Sequence, residues 1–332
     1  MKFPLRPDPD RGEIRIGVSA CLLGEKVRYD GGHKKNDFLT DTLGRFVTWV
    51  PVCPEVELGL GTPRPTMRLV EIKGEVRLVE GPKPRSDQSK IIDHTSAMRA
   101  WARRKIAWLG RMRLSGYVLK KDSPSCGMER VRLYGSKGMP SRNGRGLFAE
   151  AIMEAFPNLP VEEEGRLSDL RLRESFIERV FAYHDLMLLF GKRWTLGDLV
   201  AFHTAHKLQL LAHSNEAYRK LGRLVAQGKK MDRGELSCRY RDQFMGALRV
   251  HATPGRHANV LQHMVGYFKD RLDSAERREL QELIVEYRSG LVPLVMPITL
   301  IRHYLSKYKV AYLEDQAYLA PHPRELMLRN HV

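Results

Sequence analysis

The sequence predicts an α/β N-terminal domain built on a mostly parallel sheet, followed by an all-α C-terminal domain. Three observations carry this expectation. Short β-branched runs alternate with segments of helical spacing as far as Phe156, the pattern of strands crossed over by helices. Composition then breaks at Pro157-Asn-Leu-Pro160 and Glu162-Glu-Glu-Gly165, which places the domains at residues 1–160 and 161–332. Beyond the break, apolar residues recur at the spacing of amphipathic helices.

Ile14-Arg-Ile-Gly-Val-Ser19 alternates and then runs apolar, and reads as the first strand. Asp37 to Leu43 reads as a short helix leading to a second strand, Phe46 to Val52, rich in β-branched and aromatic residues. Met67 to Glu80 holds two alternating runs around Lys73-Gly74, a hairpin signal with a turn pair that is not the favoured one. Ile91 to Leu109 follows as a helix, with Asp93, Thr95 and Ser96 near its start. Gly116 to Lys120 reads as a third strand and Leu147 to Phe156 as a helix. In the second half, Leu167 to Phe190 reads as a long helix with Ser168 as its N-cap. Thr195 and Asp198 resemble a capping box opening a helix to His213. Further helices are expected over Asn215–Gln227, Leu236–Leu248, Gly255–Leu272, Ser274–Tyr287 and Thr299–Tyr308.

The 332 residues carry a formal net charge of +17 and are 42% hydrophobic, enough for a proper core. No apolar run is long enough to span a membrane, and Met1 to Arg15 is polar with no apolar h-region. A cytoplasmic protein without membrane partners is the expectation. Basic excess points to polyanions, nucleic acid first. It is uneven: Arg99 to Arg145 holds thirteen Lys/Arg against Asp122 and Glu129. Arg103, Arg104 and Lys105 within it are candidate nucleic-acid contacts; a solvated helix face is the competing account.

Four cysteines in a chain this long make no disulfide framework. Three lie at or just beyond predicted strand ends, in Ser19-Ala-Cys21-Leu-Leu-Gly24, in Cys53 to Gly61 and in Ser123-Pro-Ser-Cys126-Gly127. Ligands of open parallel sheets bind beyond the carboxyl ends of the strands, so these thiols are expected to converge on one point. Structural zinc normally takes four protein ligands, and iron–sulfur clusters usually take four thiolates. Three converging thiols leave one coordination position open under either reading, and spacing alone does not choose between the metals. Cys238, within Glu235-Leu-Ser-Cys-Arg239, has none of this loop chemistry and reads as a partly buried helix residue. Beside the thiols, Glu55 is a carboxylate able to bind or activate water; a helix N-terminal charge or a salt bridge is its other reading. Ser123 offers a hydrogen bond or a proton relay, or else only forms the turn before Pro124. Val27-Arg28-Tyr29-Asp-Gly-Gly32 combines a cation, an aromatic face and a turn, which suits a nucleobase and phosphate pocket.

The three strings Ser19 to Gly32, Val52-Cys-Pro-Glu-Val-Glu-Leu-Gly-Leu-Gly-Thr-Pro-Arg-Pro65 and Lys121-Asp-Ser-Pro-Ser-Cys-Gly127 together resemble the thiouracil desulfidase (TudS-like) family, over about residues 12–155. The resemblance implies a 4Fe-4S cluster on Cys21, Cys53 and Cys126, with Glu55 and Ser123 as the catalytic pair. Ser19, Arg28, Tyr29 and Ser125 are then candidate substrate contacts. The second half resembles the YbgA-like domain family through His257 to Lys269, Pro293 to Tyr304 and Tyr312 to Pro323. The fusion is similar to RudS-type proteins, which implies tRNA as partner and 4-thiouridine as the thiolated base. Under that reading Glu55 directs a water at the thiolated carbon and Ser123 relays a proton, without net electron transfer. Two alternatives stay open: a desulfidase of free thiouracil or its mononucleotide, and a cluster-dependent nucleic-acid-binding sensor without catalysis. Arg256 and His257, at a helix start, suit a phosphate contact or an ordinary cap. His203 and His206 lack the spacing and the Glu of a zinc pair and read as core or RNA-facing residues.

Overall fold

The computed structural model describes residues 12–80, 91–135 and 139–332. The polar N-terminus as far as residue 11, and residues 136–138 of the basic segment, lie outside them. The chain divides into two compact units, residues 13–168 and residues 169–332.

Among the described residues the first unit holds nine strands: β1 Arg15–Ser19, β2 Thr48–Val52, β3 Met67–Ile72, β4 Glu75–Glu80, β5 Ile92–Asp93, β6 Gly116–Leu119, β7 Val131–Tyr134, β8 Pro140–Gly144 and β9 Val161–Glu163. Four of them form an all-parallel sheet in the order β2-β1-β6-β9. Ile16 and Val18 of β1 and all four residues of β6 are buried, as strands covered on both faces require. The helices Thr95–Arg111 and Leu147–Ala155 supply cover: Trp101 meets Phe148 at 5.0 Å, and Phe148 meets Tyr117 of β6 at 6.0 Å. Gly17 makes room for that packing, since a Cβ there would stand 2.2 Å from the Tyr117 ring. The expected α/β class with a mostly parallel sheet is observed.

A second sheet, β5-β4-β3-β7-β8, is mainly antiparallel. Its β3–β4 hairpin turns on Lys73 (φ 52°) and Gly74 (φ 79°). Positive φ at both central residues is the I′ geometry, which Lys-Gly adopts despite not being the preferred pair. β7 and β8 were not expected: Pro140-Ser-Arg-Asn-Gly144 has no alternation and becomes a strand only by pairing with β7. The acidic break is also more than a linker. Val161–Glu163 pairs in parallel with β6, so the unit continues past residue 160 to Ser168. The carboxylates there are engaged: Glu163 accepts from the Met128 amide (2.7 Å), and Glu164 from the Lys121 amide (2.7 Å) and the Lys120 ammonium.

The second unit is helical, as expected, with altered boundaries. Its first helix, Leu170–Phe190, is capped by Asp169, which accepts from the amides of Arg171 and Leu172; Ser168 is not the cap. The Thr195/Asp198 capping box is present, but the helix breaks at His206 into Leu196–Ala205 and Lys207–His213. Helices Asn215–Ala226, Arg233–Leu248, Pro254–Gly266, Ser274–Arg288 and Val295–Tyr308 follow. Among the described residues no helix is long and apolar enough to cross a membrane.

Candidate active site

Parallel register brings the loops of interest to one edge. β1 and β2 pair from Arg15↔Thr48 to Ser19↔Val52, so Cys21 and Cys53 leave the sheet side by side. Cys126 follows β6, which pairs with the other side of β1. All three cysteines, with Glu55 and Ser123, line one cavity of about 480 Å³. Ser19, Arg28 and Tyr29 line it too.

Each loop is held by its own hydrogen bonds. Gly24, at φ 98°, closes the short helix containing Cys21. Cys53 caps the helical turn Pro54–Glu57 and its Sγ lies 3.7 Å from the Val27 carbonyl. Ser123 Oγ accepts from the amides of Ser125 (3.3 Å) and Cys126 (3.1 Å), so it shapes the cysteine turn and keeps its own proton to donate. Behind that turn, Gly146 touches the backbone so closely that a Cβ would stand 2.5 Å from the Ser125 carbonyl. Ser19 is buried and accepts from the Lys120 amide at 3.0 Å.

Glu55 lies at the centre of the polar arrangement. Its Oε2 takes two hydrogen bonds from the Arg64 guanidinium, the Nε one at 2.8 Å. Its Oε1 accepts from the Ser125 hydroxyl at 2.9 Å. The salt-bridge reading of Glu55 is therefore realised, on a carboxylate that also faces the cavity. The Arg64 side chain is 4% exposed and donates further to the carbonyls of Val27 (3.0 Å) and Gly61 (2.9 Å). Sequence reasoning passed over it, although it sits inside the Val52–Pro65 string; only the fold shows that it reaches Glu55. Ser125 needs correction as a substrate contact. It is fully buried, does not line the cavity, and orients Glu55 instead.

The cysteines are free thiols. Burial pushes the Cys21 thiol up to about 11 and raises Cys53 and, well above its usual range, Cys126. The amides of Val56 and Glu55 partly offset this at Cys53, and the Ser19 hydroxyl does so at Cys126. Among the described residues no three His, Cys, Asp or Glu side chains stand close enough to grip a single ion. A four-iron cluster places its thiolates on separate irons, so a set of soft donors spread around one cavity fits it.

Several outlying candidates are placed differently from expectation. Lys105 is tied to Glu57 (3.0 Å) and lies over the Trp108 ring (4.0 Å), so its charge is engaged within the protein. His257 is buried, with Nδ1 2.8 Å from the Tyr318 hydroxyl, and cannot meet a phosphate. The Arg256 guanidinium donates to the carbonyls of His213 (2.9 Å) and His251 (3.1 Å). His203 and His206 are core residues. Cys238 is exposed rather than partly buried, because its helix turns that face to solvent. Arg103 and Arg104 are exposed on their helix.

With the three-loop cavity in place, residues 16–164 match the family described as 2-thiouracil desulfurase, and residues 207–323 match a family of unknown function, DUF1722. The first half of the chain thus carries a module that matches the 2-thiouracil desulfurase family, with a DUF1722 domain behind it. The uncharacterized protein YbgA of Escherichia coli (strain K12) is 40% identical over 163 residues, 48% of this chain and 95% of that protein. The uncharacterized protein YbbK of Bacillus subtilis (strain 168) is 28% identical over 160 residues, 47% of this chain and 99% of that one. A solved structure named as the 4Fe-4S-dependent thiouracil desulfidase TudS is 32% identical, spanning 49% of this chain and 99% of the other, with a TM-score of 0.38. The desulfurase match contains every residue of the cavity identified above, Arg64 included.

Proposed function

We propose that this chain is a tRNA 4-thiouridine desulfidase, converting the thiolated base to uridine at a 4Fe-4S cluster on Cys21, Cys53 and Cys126. The observation that carries the reading is the gathering of three free thiols, from three separate loops, into one cavity with Glu55 and Ser123, inside the span of the desulfurase family. Bound there through three thiolates, such a cluster supplies an iron with an open position, a Lewis acid suited to a thiocarbonyl sulfur.

The protein's own groups supply the rest. Arg64 and Ser125 hold both oxygens of Glu55, fixing a carboxylate that orients water toward the carbon bearing sulfur. The Ser123 hydroxyl, anchored by two amides, donates its proton to the base or the departing sulfur and recovers one from the water. A C–S bond breaks, a C–O bond forms and sulfide leaves, with no net electron transfer. Arg28 and Tyr29 offer a cation and a ring at the cavity wall, the guanidinium 5.3 Å from the ring centroid. The net charge of +17 and the exposed Arg103 and Arg104 suit a polyanionic substrate rather than a free base.

The test is anaerobic reconstitution, incubation with bulk bacterial tRNA, digestion and nucleoside analysis. Loss of 4-thiouridine with a matching gain of uridine is expected. A Cys126→Ala protein that keeps full activity would sink the scheme.

A further inference from the structure

Ser19 closes β1 and stands at the N-cap of the short helical turn Ala20–Leu23, which carries Cys21. A serine in that position ordinarily turns its oxygen onto an amide of its own turn. Ser19 makes no such bond. Its side chain reaches the neighbouring strand instead, where Oγ accepts from the Lys120 amide at 3.0 Å, just beyond the end of β6. The residue is buried, and it lines the cavity together with all three cysteines.

Accepting from an amide occupies an oxygen lone pair and leaves the hydroxyl hydrogen to be donated. A buried donor finds an acceptor in nearly every native structure. Here the partner is Cys126, hydrogen-bonded side chain to side chain with Ser19. Ser19 therefore ties the Cys126 turn to the adjoining ends of β1 and β6. The other thiols are served differently: Cys53 meets the amides of Val56 and Glu55, and Cys21 feels the charges of Lys120 and Arg28. The donor at Cys126 is thus a side chain, and it can be removed without disturbing the backbone. Once Cys126 is a metal-bound thiolate, the hydroxyl can only donate to it. Hydrogen bonds to the sulfurs of an iron–sulfur centre draw electron density from the metal, favour the reduced form and raise the reduction potential. The same withdrawal makes the centre harder to oxidise and its iron a stronger Lewis acid.

We propose that Ser19 is a positioning residue for the cluster rather than a contact for the uracil. Its hydroxyl, fixed by the Lys120 amide, donates to the Cys126 thiolate, raises the cluster's reduction potential and slows its oxidation in air. The proposal rests on the cluster reading above. Failure of the wild type to take up a cluster would defeat that reading, whereas the role of Ser19 is decided by comparing loaded proteins.

The experiment is anaerobic reconstitution of the full chain as wild type, Ser19→Ala and Ser19→Thr. Iron and sulfide content and thermal melts are measured first. A mediated redox titration followed by electron paramagnetic resonance then gives the midpoint potential, which a merely structural role would not move. Removing the hydroxyl should lower the ratio of reduced to oxidised cluster at a fixed potential roughly tenfold, about 59 mV for a one-electron couple. Bleaching of the cluster's visible absorption in air should quicken in the same variant. Ser19→Thr, which keeps the hydroxyl, should return both readouts toward wild type. A folded Ser19→Ala protein that holds no cluster, while Ser19→Thr loads, would also show the hydroxyl at work. An unchanged or raised midpoint in Ser19→Ala, an equal shift in Ser19→Thr, or loss of the cluster from both folded variants overturns the proposal.

Discussion

Replacing Arg64 with methionine keeps the bulk of the side chain but removes its charge and all its donors. The Arg64 side chain is 4% exposed and that of Glu55 14%, so the pair sits largely out of bulk water. Taking one partner from a buried ion pair costs about 3–5 kcal/mol, because the other is left buried without compensation. Since Glu55 keeps some solvent and its Ser125 bond, about 3 kcal/mol is the expected loss. For a unit of this size that corresponds to a fall in melting temperature of roughly 6–12 °C. Trp49, Trp101 and Trp108 lie in residues 13–168 and only Trp194 beyond, so denaturation followed by tryptophan fluorescence reads mainly the unit in question. A cycle with Glu55→Gln isolates the pair: the double variant should lose less than the sum of the singles, with a coupling of about 2 kcal/mol. A single-variant loss below about 1 kcal/mol, or no coupling, would refute the claim that Arg64 holds Glu55 in place.

Gly146→Ala forces a Cβ against the Ser125 carbonyl at 2.5 Å and should displace the Cys126 turn, costing about 1–3 kcal/mol and lowering the iron retained after reconstitution. Wild-type iron content in a folded Gly146→Ala protein would contradict this. Cys238→Ala should leave iron content and melting temperature within error of wild type, since the residue is exposed and remote in sequence from the cysteine loops. Acid should destabilise the helical unit. Burial lowers His203 and His322 to about 4 and His257 to about 3, so each is neutral in the folded chain. A histidine with a folded pKa below its unfolded value stabilises above about pH 6.5 and loses that contribution as pH falls toward the folded pKa, of order 2 kcal/mol each here. Circular dichroism at 222 nm during urea titrations between pH 7 and pH 4 should show the decline, and His257→Gln should flatten it; a pH-independent midpoint would exclude the effect.

Much of the site was legible in the sequence because each cysteine loop announces itself locally. Gly24, Pro54 and Pro124 flank the thiols, and the β-branched runs before Cys21 and Cys53 read as strands without knowledge of their partners. The helical half was legible for a similar reason: side chains three and four residues apart meet within one helix, so periodicity and caps suffice. Departures there are few: Asp169 outcompetes the neighbouring Ser168 for the capping position, and the helix expected to run to His213 breaks at His206. Strand β8 was invisible because Pro140–Gly144 has no strand preference of its own and is extended only by its partner, whereas β7, Val131-Arg-Leu-Tyr134, alternates and carried a local signal. Glu162, Glu163 and Glu164 misled for a related reason. An acidic run ordinarily signals a solvated linker, but here Lys120, Arg166 and two loop amides receive it.

The sequence by itself determined which residues could carry chemistry: three thiols in turn-rich loops, a carboxylate, a serine and a basic excess. Those are properties of residue type and near neighbours, and they survive without coordinates. Tertiary structure decided which of them act on one another. That Arg64 clamps Glu55, that Ser125 hides behind it and that His257 is buried all depend on strand register, helix packing and loop closure across long sequence separations. Register is a cooperative property of the whole sheet, and no local string encodes it.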